Sequence, residues 1–264
     1  MSTASFYDHV RQAVQARVPV ALATVVRGDG LGAKLLVLPD VTQGRIGNDD
    51  LSRQVEETAR GLLADEQSET VGFEVDGGQL DVFIEVFPPA PTLLIFGAVH
   101  VAQPLTRFAK QLGFRVVVTD ARRVLATVER FPEADEIVVA WPDDALAQIK
   151  ILPSTFIAIL THDPKFDEPA LTGALATEAR YIGAVGSRKT NEDRRERLRA
   201  AGVDDEHLAR LHAPIGLNIG GETPEEMALS ILAEMVAVRH GRPGGPLTTA
   251  QGPIRGQTVV AAAN

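Results

Sequence analysis

The chain has 264 residues, 45% of them hydrophobic, with 26 lysines and arginines against 35 aspartates and glutamates and a net charge of −9. That apolar content at this length supports a sizeable core, which excludes general disorder and fits one large domain or two smaller ones. The negative balance repels a phosphate backbone, so nucleic acid is not an expected partner, and zero cysteines exclude disulfides, thiolate metal ligands and a cysteine nucleophile. No apolar stretch nears the roughly 18 residues needed to span a bilayer, and "MSTASFYDHVRQAV" lacks both the basic and the apolar region of a secretory leader; a cytoplasmic protein with no membrane span is expected.

Phe6, Val10, Val14 and Val18 recur every four residues, which predicts a helix with one apolar face, and "VALATVV" (20–26) then predicts a strand. "AKLLVLPD" followed by "VTQGRIG" predicts a hairpin, and "DDLSRQVEETARGLLADE" a helix starting near Asp50. "ETVGFEV" and "LDVFIEVF" read as two strands around Asp76-Gly77-Gly78. This α+β pattern stops at the Pro-rich "FPPAPT" (87–92).

From Leu93 onward strands alternate with helices, the pattern of parallel βα units joined by right-handed crossovers. Strands are predicted at 93–96, 115–119, 137–140, 155–160 and 181–185, with helices near 100–112, 143–149, 167–179 and 188–200. The first of these helices rests on the spacing of Val101, Leu105, Phe108 and Leu112. In "ETPEEMALSILAEMVAVRHG", Thr223 can cap, Pro224 suits the first helical position, Glu226 completes a capping box and Gly241 ends the helix. The fold class is therefore α/β: a small N-terminal α+β domain (1–90), a Rossmann-like parallel-sheet domain (91–241) and a Gly/Pro-rich, loosely held tail (242–264).

The turn after the first strand of the second domain, Gly97-Ala98-Val99-His100-Val101-Ala102, follows the dinucleotide fingerprint G-x-G-x-x-G/A at its first and third positions and not at its second. Val99 stands where backbone should approach a diphosphate, so NAD(P) is expected to bind weakly, although the helix start still offers amides and a positive dipole end. Asp120 follows the second strand at the spacing of a ribose-binding carboxylate, and equally suits an ordinary turn before "ARRV". Other polar groups fall at predicted strand ends: Trp141 with Asp143, Thr161-His162-Asp163, and Gly186-Ser187-Arg188. His162 beside Asp163 could act as an acid–base pair, though a lone histidine at a strand end is more often structural. Ser187 and Arg188 at a helix start suit an anion, and "RKTNEDRRERLR" reads as a solvated, ion-paired helix face. In "HAPIGLNIGGETPEE", Gly220 and Gly221 could present amides to a second anionic group or simply shape a loop. No H-x-x-x-H spacing and no G-x-S-x-G elbow occurs, so metalloenzyme and hydrolase chemistry lack support.

Taken together, "LLIFGAVHVAQPLTRFAKQLGFRVVVTDARR", "ERFPEADEIVV", "ILTHDPKFDEPAL", "RYIGAVGSRKT" and "HAPIGLNIGGETPEEMALSILAEMVAVRHG" resemble the XdhC/CoxI family, the accessory factors of xanthine dehydrogenase and related molybdenum hydroxylases. The resemblance covers roughly 91–241, and "ALATVV" and "GAKLLV" weakly resemble the family's N-terminal domain. It implies a chaperone that binds the molybdenum cofactor, as molybdopterin or its dinucleotide form. Such a chaperone protects the cofactor during sulfuration by a separate cysteine desulfurase and passes it to the apo molybdenum hydroxylase, with a homodimer as an expected assembly. On this reading the candidate cofactor residues are the turn, strand-end and helix-start groups above, Gly97, Ala98, Val99, His100, Asp120, His162, Ser187, Arg188, Gly220 and Gly221, with no catalytic residue and no protein metal ligand. The chain departs from the family at Val99, where a glycine is usual, at "GRIGNDD" and at Asp76, where cysteines are usual, and in the shortened "RGDGLGAK". Two alternatives stand beside this: an NAD(P)-dependent oxidoreductase, and an interaction protein that kept the fold and lost the ligand.

Overall fold

A computed structural model describes residues 3–75 and 78–251. The first compact unit runs to Pro89 and the second spans Ala90–Thr249. In the first unit, helix α1 (Thr3–Gln15) precedes strands β1 (Val20–Arg27), β2 (Lys34–Val37) and β3 (Thr42–Gly44), helix α2 (Asp49–Ala64), and strands β4 (Glu69–Val75) and β5 (Gly78–Phe87). The strands form one antiparallel sheet in the order β3-β2-β1-β5-β4, with the expected hairpin pairing Leu35 to Gly44 and Val37 to Thr42. Asp76 and Gly77, at the centre of the other expected turn, lie outside the described residues.

The buried stripe of α1 is Phe6, Val10 and Ala13, while Val14 is 50% exposed. A spacing of four advances about 40° per step around a helix, so an i, i+4, i+8 series rotates off its own face and the residue at i+7 replaces the third member. Helix α2 begins one residue before Asp50, with the Asn48 side chain accepting the Leu51 amide as its cap.

The second unit holds β6 (Thr92–Phe96), α3 (Ala102–Gln111), β7 (Arg115–Thr119), β8 (Glu136–Val138), α4 (Pro142–Gln148), β9 (Thr155–Ile159), α5 (Pro164–Leu175), β10 (Tyr181–Ala184), α6 (Arg188–Ala200), α7 (Asp205–Ala209), β11 (Leu211–His212) and α8 (Pro224–Arg239). Its six strands are all parallel and lie in the order β11-β10-β9-β6-β7-β8. Read from β6 as the first strand, this is the doubly wound 3-2-1-4-5-6 order of the Rossmann fold. Two cores flank the sheet. Leu93, Ile95, Val116 and Val118 pack with α3 and α8 on one face, and Leu94, Phe96, Ile157 and Ile159 pack with α4, α5 and α6 on the other.

Several element ends differ from those the spacing predicts. Helix α5 starts at Pro164, three residues before the expected 167, because the Asp163 side chain accepts the Lys165 amide and Pro164 needs no amide partner. Helix α3 starts at Ala102 rather than 100, and Leu112 falls past its last helical residue and is 48% exposed. The third strand of the sheet stops at Val138, since edge strand β8 pairs only through residues 136–138. Helix α8 carries the full capping box foreseen from Thr223, Pro224 and Glu226. The expected tail falls partly outside the described residues, from 252 onward.

Candidate functional site

The loops after β6 and β9 leave neighbouring strands for helices on opposite faces of the sheet, so Gly97–Val101 and Thr161–Asp163 flank the switch point where open α/β sheets bind ligands. Here the two loops touch. Gly97 has φ +104°, and a Cβ at that position would lie 2.6 Å from the Thr161 Cγ2, so both backbone conformation and space demand glycine. The next amide, Ala98 N–H, donates to Asp120 Oδ2 at 2.9 Å. Asp120 Oδ1 accepts the Arg122 amide and Nε, each at 2.9 Å, and Arg122 Nη2 donates to Oδ2 at 2.8 Å. These four bonds use the whole acceptor capacity of a carboxylate. Burial pushes the Asp120 carboxyl up, but the bonds from Arg122 and Ala98 outweigh it and hold the group below the ordinary carboxylate range. The space left among Gly97, Asp120, Thr161 and Phe166 is about 10 Å³, room for one water. Val99 packs its side chain against the α3–α8 core, so the turn is closed by Asp120 rather than by the β-branched residue. His100 and His162 are exposed.

A larger cavity, about 450 Å³, opens at the same sheet edge beyond β10 and β11. Val185, Gly186 and Arg188 form one wall, the 214–221 loop a second, and Met227, Ser230 and Ile231 of α8 the third. The exposed Arg188 guanidinium has no hydrogen-bond or ion-pair partner among the described residues, nor do the amides of Gly220 and Gly221. Ser187 caps α6, its Oγ accepting the Thr190 amide at 3.1 Å. Among the described residues the lining holds no carboxylate, histidine or cysteine. The structure thus separates the nominated residues into two groups: Gly97, Ala98 and Asp120 at the closed switch point, and Arg188, Gly220 and Gly221 around the open cavity.

The walls of this cavity are held by residues that sequence spacing did not single out. Glu234 accepts the Gly216 amide at 2.7 Å, the Tyr181 hydroxyl and, at 3.2 Å, His212 Nδ1. Burial raises the Glu234 pKa, yet the bonds from His212, Tyr181 and Gly216 bring it below the ordinary glutamate value. Burial, reinforced by Glu234, lifts the Tyr181 phenol well above its usual range. Gly216 has φ +96°, and any Cβ would sit 2.4 Å from Ser230 Oγ, which itself donates to the Leu217 carbonyl at 2.6 Å. On the opposite face of the sheet Arg194 is 1% exposed: it pairs with Asp167 at 2.8 Å, donates to the Val185 carbonyl at 2.8 Å and bonds Asn191. Asp167 in turn accepts the Thr161 hydroxyl, and Asn191 donates to the Gly186 carbonyl at 3.1 Å. Desolvation raises the Asp167 pKa in spite of Arg194. The α6 face expected to be solvated therefore buries one arginine outright, and a second, Arg195, bonds the carbonyls of Leu208 and Leu211.

In the N-terminal unit a cavity of about 320 Å³ is bordered by Asp29, Asp50 and Glu74 together with Gly47 and Asn48. Three carboxylates around one space oppose an anionic group there.

Residues 93–235 match the model described as the XdhC Rossmann domain, and residues 13–74 match the XdhC and CoxI family model. The chain belongs to the XdhC and CoxI family. It is 34% identical over 260 residues to Escherichia coli (strain K12) YqeB, covering 92% of this chain and 48% of that protein. It is 33% identical to a probable xanthine dehydrogenase subunit of Bacillus subtilis (strain 168), covering 60% of this chain and 46% of that one. It is 28% identical to the molybdenum cofactor insertion chaperone PaoD of Escherichia coli (strain K12), covering 62% and 45%. This chain thus spans about half the length of the curated relatives it matches. A crystal structure of a xanthine dehydrogenase from Bacillus halodurans shares the fold, with TM-score 0.53 and 22% identity over 93% of this chain and 98% of that one. Both the closed switch point and the open cavity lie within the XdhC Rossmann domain match. Among the described residues of this family member no helix is long and apolar enough to cross a membrane.

Proposed function

We propose that this chain is an accessory protein of molybdenum hydroxylase maturation. It holds the molybdenum cofactor, as molybdopterin or its dinucleotide form, while a partner cysteine desulfurase sulfurates it, and then yields it to the apo-hydroxylase. The observation that carries this reading is the cavity of about 450 Å³ on which the unpartnered Arg188 guanidinium and the Gly220 and Gly221 amides border. That volume suits a pterin-sized ligand, and the donor set suits its phosphate. The cofactor supplies the molybdenum centre that the hydroxylase uses; the chain's own part is to bind and shelter it. Arg188 would hold the phosphate by charge-assisted bonds, the Gly220–Gly221 amides would orient it, and Ile215, Ile219 and Ile231 would cover the flat ring from water. A lining without carboxylate, histidine or cysteine among the described residues suits a carrier, which must keep its cargo unreacted. Family membership supports the same role, as do relatives named as a molybdenum cofactor insertion chaperone and as part of a xanthine dehydrogenase.

The test is anaerobic purification from a molybdenum-competent host, followed by oxidation and fluorescence assay of the retained pterin. Arg188→Ala should lose about tenfold or more in affinity, the worth of a charge-assisted bond, while His162→Ala retains the cofactor. The opposite ranking would overturn the carrier model.

A further inference from the structure

We infer that Asp120 is a specificity residue: from within the chain it takes the anion position of the Gly97 turn, and so restricts the ligand to a phosphate monoester without a nucleotide extension. This rests on the carrier reading of the larger cavity. The 3-2-1-4-5-6 strand order sets two mononucleotide-binding halves along one sheet edge, and a dinucleotide spans both across the switch point. In this chain the β10–β11 half is open, with about 450 Å³, whereas at the switch point the crevice among Gly97, Asp120, Thr161 and Phe166 holds only about 10 Å³.

Three features close the second half, and two of them converge on one carboxylate. The Ala98 amide, first of the turn's donors, is already spent on Asp120 Oδ2. The carboxylate is 3% exposed and clamped on both oxygens by Arg122, so an incoming diphosphate would find both the Ala98 amide and the Arg122 guanidinium already taken by an internal anion. Thr161, where the facing loop touches Gly97, is bound to Asp167, whose pair Arg194 is tied to the Val185 carbonyl in the wall of the open cavity. The closed half is therefore braced by the same network that shapes the open one. A pterin phosphate finds a built site, and a nucleotide joined to it finds none.

Two cofactor probes, the monophosphate form and its cytidine dinucleotide form, are each released anaerobically from a purified molybdoenzyme and offered to the full chain, with ADP and NAD+ titrated separately by calorimetry. The unaltered protein should retain the monophosphate form about tenfold better than the dinucleotide form and give no heat with ADP or NAD+. Asp120→Asn removes the charge while keeping the shape; ADP affinity should rise about tenfold and the preference between cofactor forms should narrow, with monophosphate retention unchanged. Asp120→Ser serves if Asp120→Asn fails to fold by circular dichroism, and Val99→Gly alone should not restore ADP binding. Equal retention of both forms by the unaltered protein, or no gain of ADP binding in a folded Asp120 variant, overturns the inference. If neither cofactor form is retained, the carrier reading fails while the ADP and NAD+ arms still decide the role of Asp120.

Discussion

Glu234 shows how one side chain positions a loop. It receives Gly216, Tyr181 and His212 from three directions, and Gly216 belongs to the loop that walls the larger cavity. Its folded pKa lies below the ordinary value of 4.5, because the hydrogen bonds more than offset the upward push of burial. A depressed carboxylate contributes stability that is present in full above its unfolded pKa and is lost as the pH falls through the lower folded value. Glu234→Gln is therefore expected to cost about 1–3 kcal/mol at pH 7, and the deficit should shrink as the pH is lowered below about 4. Urea unfolding of both proteins at the two pH values measures this; a deficit undiminished in acid would show that shape rather than charge matters. Periodicity could not disclose Glu234, since it lies mid-helix on α8 and its three partners come from β10, β11 and the loop after it. By contrast Arg188 could be nominated from sequence, because a cation at a helix start after a strand is a local pattern.

Helices α5 and α6 illustrate how elements register with one another. Asp167 and Arg194 pair across them with side chains 3% and 2% exposed, and Arg194 Nε is buried with no partner among the described residues. Burying both charges is costly, and the pair persists because Thr161, Val185 and Asn191 satisfy most of the remaining groups. Removing one partner strands the other: Asp167→Asn should cost about 3–5 kcal/mol in denaturant unfolding, while Asp167→Leu combined with Arg194→Met should recover most of it. A loss below about 1 kcal/mol for the single change would mean that apolar packing alone registers these helices. The run "RKTNEDRRERLR" is polar except for Leu198, and that single apolar residue, four after Arg194, is too weak a pattern to mark Arg194 as different from Arg197, which stays exposed beside Glu168. Only the partner on α5 makes the distinction. Helix α8 is the opposite case, its capping box being legible because every participant lies within four residues.

At the scale of the whole molecule the two units carry unlike sheets, and every residue that lines the proposed cofactor cavity belongs to 185–231 of the second. A fragment of residues 90–249 should accordingly fold, keep its Arg188-dependent pterin retention within about threefold of the full chain, and leave residues 1–89 without measurable retention. Pterin lost from 90–249 but kept by the full chain would move the cofactor to the N-terminal unit, against its carboxylate-lined cavity. By itself the amino-acid order determined what depends on near neighbours: the switch from antiparallel to alternating βα patterning near residue 90, the glycine at 97, the caps of α6 and α8, and the motifs that resemble a molybdenum cofactor chaperone family. Tertiary structure alone decided that Asp120 turns inward onto Ala98, that the switch point is closed and that the space lies beyond β10 and β11. The physical reason is range: caps and amphipathic faces are satisfied within a few residues, whereas a carboxylate's acceptors are filled by whichever donors the fold delivers, and for Asp120 one of these comes from 22 residues away.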